Sequence, residues 1–81
     1  MNVRIQLFAV AKQLAGQDWA EIDLPEGATI SRLRQELARQ VPALAGIVDQ
    51  LKFAIDAEFA LDETVIASDS NIACIPPVSG G

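Results

Sequence analysis

The sequence predicts a single α+β domain in which a mixed sheet packs on one main helix, and three observations carry that prediction. Stretches in which apolar and polar residues alternate open and close the chain, the period of strands with one buried face. Between them, from Ile30 to Val41, the apolar residues instead recur at spacings of three and four, the period of a helix with one buried stripe. The chain has 81 residues, 51% of them hydrophobic, which suffices for one core and leaves few side chains to line a private active-site cavity.

Val3, Ile5 and Leu7 alternate with Arg4 and Gln6 in a first strand. Ala11 to Ala15 reads as a short helical turn closed by Gly16, and Ile22 and Leu24 alternate with Glu21 and Asp23 in a second strand that ends at Pro25. Pro25-Glu26-Gly27 is a turn, and Thr29 is placed to cap a helix whose stripe is Ile30, Leu33, Leu37 and Val41. Arg32, Arg34 and Arg39 sit off that stripe and read as a solvated face. Pro42 ends the helix, because it lacks an amide proton and pushes Val41 out of helical geometry, and Ala43 to Leu51 can hold one more short helical turn. Leu51, Phe53 and Ile55 then alternate with Lys52 and Ala54, Asp56 and Glu58 bracket a turn, Phe59 starts a short return strand, and Ile72 to Ile75 is a last strand stopped by Pro76-Pro77. Residues 1–75 thus form the domain and 76–81 an extended tail.

Composition excludes several functions. Eleven acidic residues against six basic ones give a net charge of −5, which repels phosphate backbones and anionic membrane surfaces, so neither nucleic acid nor membrane is an expected partner. No apolar run approaches the ~20 residues that span a bilayer. The opening residues lack the apolar core of a signal peptide, and the single cysteine cannot close an internal disulfide, so the expected location is cytoplasmic. There is no histidine, which removes Ser-His-Asp and Cys-His catalysis and every histidine-based metal site, and no glycine-rich phosphate loop occurs. Cys74 alternates within an apolar strand and reads as a small buried hydrophobe. Asp56, Glu58, Asp62 and Glu63 read as ordinary acidic turns. No metal site and no bound cofactor are expected in this chain.

The chemistry that remains is in the tail. Ile75-Pro76-Pro77-Val78-Ser79-Gly80-Gly81 is uncharged, and its paired prolines favour an extended, pre-stiffened backbone that loses less entropy on threading into a partner. At ~3.3 Å per residue, Pro76 to Gly81 reach roughly 20 Å. Gly80 and Gly81 have no Cβ, so the backbone passes a narrow channel and leaves the Gly81 carboxyl open to attack. A tail alone offers little area for association, which makes Phe8 and Ile75 candidates for an apolar docking patch beside it, together with Pro76, Pro77, Val78 and Ser79.

Three segments carry a resemblance. Phe8-Ala9 with Lys12, Leu14 and Gly16, then Leu24-Pro25-Glu26-Gly27-Ala28-Thr29, and the closing Ile75-Pro76-Pro77-Val78-Ser79-Gly80-Gly81 resemble the landmarks of the MoaD-type small subunit of molybdopterin synthase, a ubiquitin-like sulfur carrier. The likeness spans nearly the whole chain, and its terminal segment is the specific part. It implies the β-grasp arrangement, with the first and last strands side by side in the middle of the sheet. It also implies a chain that is not an enzyme on its own. An adenylating partner of the ubiquitin-activating type would use ATP to form an acyl-adenylate on Gly81, and a sulfur donor protein would convert it to a thiocarboxylate. That group would give its sulfur to precursor Z inside the large synthase subunit, in a heterotetramer of two large and two small subunits. The chain departs from the family at Asp56-Ala57, where an Asn-Gly turn is common, and at Ser68-Asp69-Ser70-Asn71, where a glycine is common. Two other readings stay open at this point: a sulfur carrier for thiamine, tRNA thiolation or protein tagging, and a β-grasp interaction module that is never activated. The Pro-Pro-Val-Ser run argues against the thiamine pathway.

Overall fold

A computed structural model describes residues 1–77; Val78, Ser79, Gly80 and Gly81 lie outside the described residues. The alternation at the start of the chain becomes strand β1 (Asn2–Leu7), with Val3, Ile5 and Leu7 buried and Asn2 and Arg4 exposed. Helix α1 (Ala9–Ala15) follows directly and is closed by Gly16, whose φ of 73° is the left-handed conformation that glycine adopts without a Cβ clash. Strand β2 (Trp19–Asp23) returns antiparallel, with Ile22 opposite Val3 and Ala20 opposite Ile5. Leu24, read from sequence as part of this strand, prolongs the pairing through its own hydrogen bonds: its amide donates to the Met1 carbonyl at 2.7 Å, and the Met1 amino group donates to the Leu24 carbonyl at 2.6 Å.

Helix α2 (Ile30–Gln40) is capped by Thr29, whose hydroxyl accepts from the Arg32 amide at 3.3 Å. The other free amides of its first turn are met from a distant loop: Ile30 donates to the Thr64 carbonyl at 3.0 Å and Ser31 to the Asp62 carbonyl at 2.9 Å. Ile30, Leu33 and Leu37 are fully buried against the sheet, and Val41 is the half-buried residue after the helix. Beyond Pro42 the chain makes two short 3₁₀ turns, Pro42–Leu44 and Val48–Gln50, where the sequence suggests one. Leu44 and Val48 from these turns, with Ile66 from the later loop, complete the core.

Strands β3 (Lys52–Ile55), β4 (Glu58–Ala60) and β5 (Ile72–Ile75) finish a five-stranded sheet in the order β2-β1-β5-β3-β4. β1 and β5 run parallel in the middle and the other neighbours are antiparallel, which is the β-grasp topology of an α+β domain. The β3–β4 hairpin turns on Asp56 and Ala57, with φ of 51° and 70°. A two-residue hairpin requires left-handed backbone there, and it holds even though Ala57 is not a residue that favours it. Asp56 is tied down by the residue just before β5: its amide donates to the Asn71 carbonyl at 2.9 Å and its carboxylate accepts from the Asn71 amide at 3.1 Å.

Of the helix arginines, Arg32 and Arg39 are exposed, 49% and 69%, as the solvated face their spacing suggests, and Arg34 departs from it. Arg34 has a side chain only 17% exposed and is a structural staple. Its guanidinium donates to the Val48 carbonyl and, at 2.8 Å, to the Leu51 carbonyl, pairs with Asp62 at 2.8 Å, and lies 5.2 Å from the centre of the Phe53 ring. Arg39 and Arg32 both engage the largely buried Glu36, at 2.6 and 3.4 Å. The hydrogen bonds from Arg39 and then Gln40 hold the Glu36 carboxyl down at about 2, well below its ordinary value. A contiguous helical stripe cannot reveal these partners, because they come from residues distant in sequence or from the polar side of the same helix.

Candidate functional site: the root of the tail and the open face of the sheet

The strand register sorts the sheet into two faces. One buries Ile5, Leu7, Ile22, Phe53, Ile72 and Cys74 against α2 and its flanking turns. The other has no helix over it. Across it run Trp19, Gln6, Ala73, Ala54 and Phe59, each opposite the next in the pairing. One step nearer the end of β5, Ile75 lies opposite Lys52. The same row extends at both sides. Leu61 directly follows Ala60, which pairs with Phe53, and lines one cleft with Lys52; Phe8 directly follows Leu7, which pairs with Cys74, the neighbour of Ile75 in β5.

This row brings together the two residues that sequence reasoning selected for docking. Phe8 is 40% exposed and Ile75 is half-buried, so neither is a closed core position. Two larger contributors were missed: Phe59 and Leu61, 74% and 68% exposed. A short edge strand carries no clear periodicity, and only the pairing of β4 with β3 puts these residues on the face that holds Ile75. The available signal is their type, since large apolar side chains in a stretch bracketed by acids either enter the core or wait for a partner.

The extended backbone of β5 continues into the tail. Pro76 is buried and Pro77 exposed. Pro77 lines a shallow cleft of about 680 Å³ together with Arg34, Lys52, Leu61, Asp62 and Glu63. The residues selected for chemistry and for the rest of the docking tail, Gly81, Gly80, Ser79 and Val78, lie outside the described residues.

Within the described part, Cys74 is fully buried, and burial pushes its thiol up to about 11, so it stays protonated and unreactive at neutral pH. Among the described residues no group of three or more His, Cys, Asp or Glu side chains is arranged to hold a metal ion, and no helix is long and apolar enough to cross a membrane. What the described residues provide is a packed sheet whose last strand runs to Pro77 beside an exposed apolar face.

A β-grasp domain whose first and last strands pair in parallel in the middle of the sheet is a ubiquitin-like fold. Residues 5–81 match the ThiS family, and the chain belongs to that family. It is 32% identical over 83 residues to the molybdopterin synthase sulfur carrier subunit of Caenorhabditis elegans, covering 100% of this chain and 99% of the relative. To the protein of the same description from Dictyostelium discoideum it is 36% identical over 81 residues, covering 96% of this chain and 94% of the relative. Among solved structures, that of SAMP1 from Haloferax volcanii superposes with a TM-score of 0.85 at 26% identity, over the full length of both chains.

Proposed function

We propose that this chain is the sulfur-carrier subunit of a molybdopterin synthase. The observation that carries the reading is the end-to-end similarity to sulfur carrier subunits, with a family match that includes the last residue, Gly81. The chain acts inside a complex and not as a catalyst alone. The absence of histidine and the buried, protonated Cys74 support that division of labour, since neither a general base of the usual kind nor a thiolate nucleophile is available.

A carboxylate is a poor electrophile. An adenylating partner therefore activates the Gly81 carboxyl with ATP, releasing pyrophosphate, and sulfur supplied by a donor protein displaces AMP to leave a thiocarboxylate. This sulfur nucleophile enters the pocket of the large subunit and bonds to precursor Z; water then cleaves the acyl–sulfur bond, which leaves the sulfur on the pterin and restores the Gly81 carboxylate, and two such deliveries complete the dithiolene. Gly80 leaves room for the backbone in that channel, and Pro76 to Ser79 span the distance from the domain. The open face, with Phe8, Ile75, Phe59 and Leu61, is the surface on which the large subunit docks, in the heterotetramer of two large and two small subunits.

Thiocarboxylated protein mixed with the large subunit and precursor Z should yield molybdopterin without further ATP. Deleting Gly81 should abolish that activity while changing stability by less than ~0.5 kcal/mol, the range for surface changes away from special features. Full activity of the deletion variant would overturn the reading. The likeness to SAMP1 favours one alternative, a ubiquitin-like modifier joined to other proteins through the same glycine. Gly81-dependent conjugates in place of molybdopterin would select it.

A further inference from the structure

The sheet has two edges, β2 and β4, and they are finished differently. Along β2, Leu24 and Met1 exchange both main-chain hydrogen bonds, so the intervening residue, Asp23, turns its N–H and C=O away from β1; by the same alternation Glu21 and Trp19 also face outward. At Asp23 both outward groups are taken by a single side chain. The Gln40 Oε1 accepts from the Asp23 amide at 3.1 Å, and the Gln40 Nε2 donates to the Asp23 carbonyl at 3.0 Å.

A carboxamide carries one acceptor and one donor group in a single plane, the same pair that a residue of an added strand would offer. Gln40 is also held in place. Its Nε2 donates to the Glu36 Oε1 at 2.8 Å, and that carboxylate is itself bound by Arg39. The last turn of α2 thus reaches over the sheet and ends the edge at Asp23.

The edge needs such a stop. β2 is five residues long, has no proline and no lysine, and carries the exposed Trp19, which makes it a template for strand addition. β4 is only three residues long, and the N–H of the next residue, Leu61, is already taken by the Thr64 hydroxyl at 3.0 Å. Shortness limits β4; β2 has to be limited by a side chain.

We propose that Gln40 is a built-in strand mimic that closes the β2 edge and prevents a second copy of this chain from adding there. With Gln40 in place only Trp19 and Glu21 present outward main-chain pairs, fewer than a stable strand pairing uses. Without it three consecutive outward positions are open, and the remaining defence is the repulsion of Glu21 and Asp23 from their counterparts in an approaching copy, which salt screens. The inference is independent of the sulfur-carrier reading.

The test uses the full chain with Gln40→Ala and Gln40→Lys, the second keeping a helix-forming residue and a hydrogen-bond donor for Glu36 while removing the acceptor for the Asp23 amide. Hydrogen exchange at the Asp23 amide should accelerate at least about tenfold in both variants, while the amides of Ile5 and Ile22 keep their protection and report an intact fold. In ~0.5 M salt, which cuts the screening length to about 4 Å, light scattering should show concentration-dependent dimers of the variants and monomers of the parent. Adding Glu21→Pro, which removes an outward N–H, should return the variants to monomers. Unchanged exchange at Asp23, variants that stay monomeric, or a parent that associates equally would each overturn the proposal.

Discussion

The two faces of the sheet are built from the same strands and differ in what covers them. On the covered face Ile5, Ile22, Phe53 and Cys74 meet Leu33 and Leu37 of α2 and are lost to solvent. On the open face Phe59, Leu61 and Phe8 stay in contact with water although each is as apolar as the residues beneath. The difference teaches that apolar residues in this small domain are divided between a packed face and an exposed one, that the strand register makes the division, and that the exposed set is the one available to the partner proposed above. It follows that changes on the first face should cost stability and changes on the second should cost association.

The largest effect is expected at the centre of the covered face. Leu37→Ala removes a fully buried side chain and should lower the unfolding free energy by about 2–5 kcal/mol, read from the urea midpoint. A midpoint equal to the parent's would break the comparison at its stronger end. A smaller loss, about 1–3 kcal/mol, is expected for Arg34→Met, which keeps the aliphatic stem over Phe53 but strands the carbonyls of Val48 and Leu51 without their donor. Arg34→Lys should recover part of that loss, since one ammonium can reach some but not all of the three acceptors; no loss in Arg34→Met would return this arginine to the solvated face suggested by its spacing.

The smallest effect on stability should come from the open face. Phe8→Ala and Leu61→Ser should each change the unfolding free energy by less than ~0.5 kcal/mol, while binding to a large synthase subunit weakens by about tenfold or more, as loss of a buried apolar anchor entails. Calorimetric titration of the folded variants separates the two quantities. Should Phe8→Ala unfold the domain instead, Phe8 belongs to the core, and the boundary between the faces runs elsewhere.

Much of this architecture was legible in the sequence because it rests on local patterns. The alternation of Val3, Ile5 and Leu7, the Thr29 cap, the stripe of Ile30, Leu33 and Leu37, the stop at Gly16 and the last strand from Ile72 to Ile75 all appear where period and punctuation put them. Phe8 and Ile75, chosen from sequence for their closeness to the tail, are exposed and half-buried respectively. Arg34 was misread, since its acceptors lie 14 and 17 residues away and no helical period encodes them. Phe59 and Leu61 were passed over, since a three-residue strand has no period of its own to read.

By itself, then, the sequence determined the kinds and limits of the elements, the absence of histidine chemistry and the uncharged glycine-ended tail, because propensity, hydrophobic period and composition are properties of neighbouring residues. Only the tertiary structure decided that β1 and β5 lie side by side, that Ile75 stands opposite Lys52, that the first amides of α2 are met by Asp62 and Thr64, and that Gln40 takes both outward main-chain groups of Asp23. These depend on which distant segments meet, and a strand's own pattern says which face is buried without saying which strand will be its neighbour.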